Sequence, residues 1–520
     1  MSTGWTIFLV LLITWIAIMV YARKTKKLER FALSPYGPFL MWRTKRGKNL
    51  IEKVASLDTF WTGFGYFAIA FTFFAMILMT SLLLWIATLI PSVPHTSIPS
   101  FRLILGIPGV NPAIPIWQGI LGLLVGIGVH EFAHGILTRV HRLKLLSLGL
   151  LFAWVPMGAF AEPDEQDLRR AKKRARMSVY AVGPTSNFIL AAVTVFLFAS
   201  VMMGSLAPVY DAPVCINEGQ FSWGEQLISI NGTELRTPND VDSLHLIPGQ
   251  NYTATTFKDG TLLKRNVTAG LFVIDVFLKS PADDANLTKG IIILKVANTT
   301  IWNQKDFSDT LENFQPGDTV NLLIHSTTDW SAFNVNVTLA DRYEYYKTHY
   351  PAYADERDRG EAFVGVFISY MGGPFTDAYH LRDIYVHPYK YNDIIRGSLA
   401  YVGMPLQKLS PVPEPVKNIY EPSGVLSVLP EVLFYILADG LYWIFWISIM
   451  LGLTNALPAF PLDGGVLLSD ALGYVLKKAL PKITEDMRTK IVDRMVITSS
   501  LTVVALVLWQ FLGPRLLSFF

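Results

Sequence analysis

Apolar residues along this chain gather into six runs, at 4–22, 60–90, 117–139, 184–207, 430–455 and 491–512. A helix needs about 20 consecutive apolar residues to cross a bilayer, so each run predicts a membrane span. The second is longer than one span requires, which leaves a tilt or a break open there. Between 208 and 429 the pattern changes to polar sequence rich in Thr, Asn and Asp. Alternating stretches there, such as NVNVTLA, predict strands. The fold class expected is a polytopic α-helical membrane protein of about six transmembrane helices with an external β-rich insertion.

The insertion contains an apparent duplication. EQLISINGTELRTPNDVDSLHLIPGQNYTATTF reads as a strand, an Asn-Gly turn, a short helix, a Pro-Gly turn and another strand. IIILKVANTTIWNQKDFSDTLENFQPGDTVNLLI repeats that order. The order resembles PDZ domains of the protease-associated kind, which implies modules that capture chain ends by adding a strand to a sheet edge. A β-rich region without peptide binding is the alternative. The domain organisation expected is 1–59, a first span and basic segment; 60–207, a transmembrane core; 208–280 and 281–342, two PDZ-like domains; 343–429, a connecting segment; and 430–520, a second part of the core.

Composition agrees with a membrane protein: 51% of the 520 residues are hydrophobic and 16% charged, and mean hydropathy is +0.37. The net charge of +3 gives no reason to invoke nucleic acid. With one cysteine, Cys215, neither an internal disulfide nor a thiolate metal cluster can form. The first apolar run lacks a basic segment ahead of it, which argues against a cleaved signal peptide. Lys and Arg concentrate in 22–59, 139–176 and 470–494, whereas 91–116 carries only Arg102. The bias of basic residues toward the cytoplasm puts those three segments inside and both termini and 208–429 outside. All six Asn-X-Ser/Thr sequons, at Asn231, Asn251, Asn266, Asn286, Asn298 and Asn336, fall in the external part. The missing disulfides and basic inner loops favour a prokaryotic, archaeal-type cell membrane.

Within the third run lies GIGVHEFAHGI. Charged side chains at a membrane helix centre cost roughly 3 kcal/mol and usually mark a pathway or a reaction. His-Glu-x-x-His on a helix puts His130 and His134 one turn apart on one face, where two imidazoles grip one metal ion. Glu131 beside them is then placed as general base. Three polar residues in a helix interface would be the plainer reading, and a metal site needs a third ligand. NALPAFPLDGG, Asn455–Gly465, supplies Asp463 between helix-stopping prolines and two glycines. Alone, it reads as a loop leaving the membrane. Under the topology above, spans three and five run the same way, so Asp463 meets the histidines toward the cytoplasmic half of the bilayer.

HEFAH together with NALPAFPLDGG resembles the site-2 protease family of intramembrane zinc metalloproteases. Further matches are GIPGVNPAIP before the histidine span, PMGAFAEPDE after it, and GPTSNF opening the fourth. The resemblance implies one zinc ion on His130, His134 and Asp463, with Glu131 as catalytic base. It also implies Asn455 and Asn187 as substrate-binding residues, and a membrane-associated β-hairpin at Leu143–Phe160. Phe460 departs from the smaller residues usual at its position, narrowing the site without removing a ligand.

The function expected is cleavage of a transmembrane segment of membrane-anchored proteins, the external region gating or recognising substrates and a site-1-type protease cutting first. A zinc or ion transporter using the same ligands is one rival. It would go with repeats among the spans, which the sequence lacks, and it leaves Glu131 without a task. A non-catalytic PDZ scaffold is another, against which all three ligands and the base are present. A metalloprotease with a glutamate ligand is the third, disfavoured by PLDGG.

Overall fold

The computed structural model describes residues 3–25, 27–44, 47–92, 108–109, 111–153, 155–217, 219–326, 331–386, 401–404, 412 and 417–517. Gly106, Ile107 and Val110 of GIPGVNPAIP, and Arg102, lie outside them, as does part of 343–429. The chain divides into two compact units: one of Met1–Val201, Val402–Lys408 and Tyr435–Phe520, the other of Met202–Tyr401 and Leu409–Phe434.

The first unit opens with helix α1 (Thr3–Thr25), strands β1 (Leu33–Tyr36) and β2 (Phe39–Thr44), and helices α2 (Lys48–Ala55) and α3 (Asp58–Leu89). Next come α4 (Ile116–Val140), which carries HEFAH, and strands β3 (Leu145–Ala153) and β4 (Val155–Pro163). Helices α5 (Glu165–Arg170) and α6 (Lys173–Phe196) follow. The hairpin expected at 143–160 is thus present as β3–β4. It is half of a larger sheet, order β1-β2-β3-β4, because β2 pairs with β3 from Leu40↔Phe152 to Thr44↔Leu148. The segment 22–59, read only as basic, therefore supplies two strands. Helix α6 begins at Lys173, before the apolar run starts at 184, so the polar residues ahead of that run form its first turns.

The second unit shows the duplication in its topology. The first copy consists of β5 (Val214–Cys215), β6 (Gln226–Ile230), β7 (Thr233–Glu234), α7 (Pro238–Asp242), β8 (Asn251–Lys258) and β9 (Thr261–Thr268). The second consists of β10 (Leu271–Val276), β11 (Ile292–Val296), β12 (Thr299–Thr300), α8 (Gln304–Leu311), β13 (Thr319–His325) and β14 (Ala332–Thr338). Strands β15 (Val366–Tyr370) and β16 (Phe375–Thr376) complete the second and first sheets respectively. The orders are β9-β8-β6-β5-β16, with β7 on β6, and β14-β13-β11-β10-β15, with β12 on β11. The details recur too. Both sheets carry a register shift at the matching place, Leu227/Ser229 and Ile293/Lys295. Both helices are capped alike: Thr237 accepts from Asp240 N and Asn303 from Asp306 N. Each copy has its own core, around Leu227, Ile230 and Ala254 in one and Ile293, Val296 and Leu322 in the other.

The chain returns to the first unit through α9 (Glu431–Asn455), α10 (Asp463–Ala479) and α11 (Glu485–Leu517). Five helices among the described residues are long and apolar enough to cross a membrane: α3, α4, Lys173–Ser205, α9 and α11. With strands in several sheets, the architecture is that of a membrane protein with a β-rich region. Large apolar side chains stay exposed on α3 (Phe67, Phe74, Ile77) and α11 (Ile497, Leu501, Val504), as a lipid-facing surface requires.

Helix packing in lipid relies on small residues that let backbones approach. Gly119, Gly122 and Gly126 are buried along one stripe of α4 that continues into His130. A Cβ on Gly122 would lie 2.9 Å from the Trp443 carbonyl of α9, and one on Gly126 2.9 Å from Leu451 Cδ1. Helix α9 thus packs on the face that carries His130, and the chain leaving α9 arrives beside that histidine. Gly122→Ala is expected to lower stability by about 1–3 kcal/mol in thermal unfolding of the detergent-solubilised protein. Gly128→Ala, where a Cβ meets nothing within 4 Å, should be neutral or slightly stabilising.

Candidate active site

Three helices build the site, and each brings one kind of group. Helix α4 supplies His130 and His134, with side-chain rings 4.7 Å apart. Helix α10 supplies Asp463 at its first residue. Asp463 Oδ2 lies 3.0 Å from His130 Nε2 and 3.4 Å from His134 Nε2, and the ligand atoms all fall within 4.8 Å of one another. Metal–ligand bonds of 2.0–2.2 Å in a tetrahedron put ligand atoms about 3.4 Å apart. The described residues contain no other such group.

Helix α6 decides how the imidazoles are presented. His134 Nδ1 lies 2.5 Å from the Val179 carbonyl, which only accepts, so the ring proton sits on Nδ1 and the Nε2 lone pair is free. His130 Nδ1 lies 3.0 Å from the Asn187 amide nitrogen, while Asn187 Oδ1 is buried without a hydrogen-bond partner. Turning that amide over puts the oxygen on Nδ1–H and gives His130 the same tautomer. Asn187 is fully buried, and its amide faces a ligand rather than a cleft.

The space for an ion is a missing side chain. Gly183 lies on the same face of α6, and a Cβ there would be 2.5 Å from His134 Nε2 and 2.6 Å from His130 Nε2. Two imidazole lone pairs and a carboxylate converging on a void kept open by glycine are a donor set that fits zinc.

Glu131 stands outside this ligand set. Its Oε2 accepts a 2.9 Å hydrogen bond from the Ala161 backbone N–H of β4. Because β4 is the last strand of its sheet, that amide belongs to the strand's unpaired side. Asn455 ends α9, and its amide donates to the Leu451 carbonyl one turn back.

The chain between Asn455 and Asp463 is non-helical, which in a membrane demands partners for its backbone. Ser499 Oγ donates to the Pro458 carbonyl at 2.7 Å, and the Phe460 N–H donates to Ser500 Oγ at 2.9 Å, both serines on α11. Gly464 and Gly465 press against the same loop, where a Cβ would come within 2.4 Å of the Ala456 carbonyl and 2.5 Å of the Ala459 carbonyl carbon. Gly183, Val179, Ser499 and Ser500 escaped the sequence reading. Gly183 opens the quoted GPTSNF stretch, but nothing local marks it as the wall of a metal site. Phe460 is exposed at 69%, turned away from the ligands' buried surroundings.

The family model for peptidase family M50 matches residues 118–498, which span both halves of this site. Over 275 residues the chain is 26% identical to an uncharacterized protein of Methanocaldococcus jannaschii, a match covering 52% of this chain and 72% of that relative.

Gly183→Ala is expected to abolish zinc retention after dialysis while leaving the circular dichroism spectrum unchanged, since it fills the void and spares every ligand. Asn187→Ala should weaken zinc binding about 10–100-fold, read by competition with a chromophoric chelator.

Proposed function

Because the chain belongs to peptidase family M50, the site-2 proteases, we propose that this integral membrane metalloprotease cleaves peptide bonds in the transmembrane segments of other proteins. The observation that carries the reading is Glu131: a carboxylate held next to the ligand pair, yet tied to a backbone amide instead of joining the ligands. A transport site would have no use for it; a hydrolase needs a base there.

His130, His134 and Asp463 would hold one zinc ion, which supplies Lewis acidity toward a carbonyl and lowers the pKa of water near it. Glu131 takes the proton of the attacking water and passes it to the leaving amine. A helical substrate hides its carbonyls in its own hydrogen bonds and must unwind before attack. The unpaired side of β4 offers an extended segment a partner, and the Ala161–Glu131 contact places that edge at the base. Asn455, at the end of α9, is assigned to substrate contact, and Asn187 to orienting His130.

We read α1, an apolar helix of 23 residues, as a sixth span. The charge bias places the β-rich region outside and the site toward the cytoplasm, and the likeness to an archaeal protein supports a prokaryotic cell membrane. The duplicated sheets are read as PDZ-like modules that screen substrates, their outer parts first trimmed by another protease. The second copy supports this best. A cavity of about 620 Å³ lies between α8 and the edge strand β15, lined by Phe307, Leu311, Phe314, Val366 and Ile368. At its end Gly365 has φ +87°. The Val364 and Gly365 carbonyls accept from Ala282 N and Phe277 N, so these two carbonyls are already engaged within the protein. Such a loop suits a chain-terminal carboxylate.

Two outcomes are expected. In cells expressing single-span reporters, wild type cuts, Glu131→Gln retains zinc without cutting, and Asp463→Asn loses both; cleavage surviving in both variants would refute the assignment. For the screening module, a fluorescent peptide ending in an apolar residue should bind the full-length protein on the order of tenfold more tightly than its C-terminally amidated form, measured by anisotropy.

A further inference from the structure

Below the ligand set, α6 and α10 are joined a second time. Arg176 and Asp470 form a two-pronged ion pair, with Nε to Oδ2 at 2.7 Å and Nη2 bonded to Oδ1. Asp470 is 6% exposed. Arg176 also donates through Nη1 to the Arg169 carbonyl at 3.1 Å, at the end of α5, which follows the strand that holds Glu131.

The spacing is what gives the pair meaning. On α6, Arg176 and Gly183 are seven residues apart; on α10, so are Asp463 and Asp470. Seven residues of helix is about 10.5 Å, nearly two full turns, so both members of each pair face the same way. Asp470 meets Arg176 at one end, and Asp463 meets the histidines beside Gly183 at the other. Between them Leu467, fully buried, packs in one core cluster with Val179 and Val182. An apolar contact of that kind is non-directional and tolerates sliding. Sliding α10 by one residue would move Asp463 by about 1.5 Å, whereas a metal ligand tolerates roughly 0.2 Å.

We infer that Arg176 and Asp470 are a positioning pair that fixes the axial register of α10 on α6, and so the height at which Asp463 enters the ligand set. Buried ion pairs contribute little net stability compared with apolar residues of the same volume, and their best-attested use is to specify register. The geometry suits that use. A planar guanidinium engaging both oxygens fixes direction as well as distance, and here it acts on the helix that bears the third ligand. The inference rests on the metalloprotease reading, but its first readout is metal binding.

The test uses the full-length protein in detergent, with zinc affinity measured by chelator competition and the unfolding temperature measured without metal. Arg176→Met with Asp470→Leu removes the charges together and leaves no orphan. That double variant should unfold at the wild-type temperature or above yet bind zinc about 10–100-fold more weakly. The exchanged pair, Arg176→Asp with Asp470→Arg, should regain most of the lost affinity. Unaltered zinc affinity in the double apolar variant would show that the pair only holds the helices together, and would overturn the inference. If that variant fails to fold, Arg176→Lys decides: it keeps the charge but loses the two-pronged grip, and unaltered affinity there overturns the inference equally. Wild-type protein that takes up no zinc would instead refute the metalloprotease reading.

Discussion

Two imidazoles and a carboxylate brought to ligand distance inside a bilayer must be presented with free lone pairs, while every neighbouring polar group finds a partner without water. Much of the membrane unit is arranged around that constraint. The Val179 carbonyl accepts a hydrogen bond from the His134 ring N–H. Serines of α11 satisfy the loop that carries Asp463. Glycines hold the elements close: Gly122 and Gly126 between α4 and α9, and Gly464 and Gly465 beneath the loop. Gly183 does the opposite, since its missing side chain is the room in which an ion fits. The histidines are held by the Val179 carbonyl and the Asn187 side chain of α6, and Glu131 by the Ala161 amide of β4, so the site's geometry and the packing of these elements are one problem.

The parts of this arrangement that were legible in the sequence are those whose signal is local or topological. HEFAH is a local pattern, since the spacing of His130 and His134 follows from helical periodicity alone. Asp463 became legible once basic residues oriented the spans, because two same-direction spans can bring their cytoplasmic ends together. The hairpin was expected from the family resemblance, which its Leu, Val and Phe runs with Gly149, Pro156 and Gly158 fit, but β1 and β2 were not. Their segment reads as charge, and what makes it sheet is pairing with Leu148–Phe152 far along the chain. The same applies to Gly183 and to Arg176 with Asp470. A glycine before a proline and a salt bridge between residues nearly 300 positions apart acquire meaning only when α6 and α10 are laid side by side.

The β-rich unit makes the complementary point about order along the chain. Its repeat was visible because strand, turn, capped helix and strand recur with the same turn chemistry. The strands that finish each sheet were not, because β15 and β16 lie in the segment 343–429, whose composition shows little periodicity. Their order has a consequence. The second copy closes first, with β15 beside β10, and the first copy closes only when β16 reaches β5, beyond the whole of the second. The first sheet is therefore incomplete in any chain that stops between the copies, and both copies belong to one compact unit. Within that unit the copies differ in their helix and in the strand that closes each sheet. The second retains an eight-residue helix and a five-residue edge strand, and the first a five-residue helix and a two-residue strand directly after Pro374. A strand of two residues offers few backbone groups for an added strand to pair with.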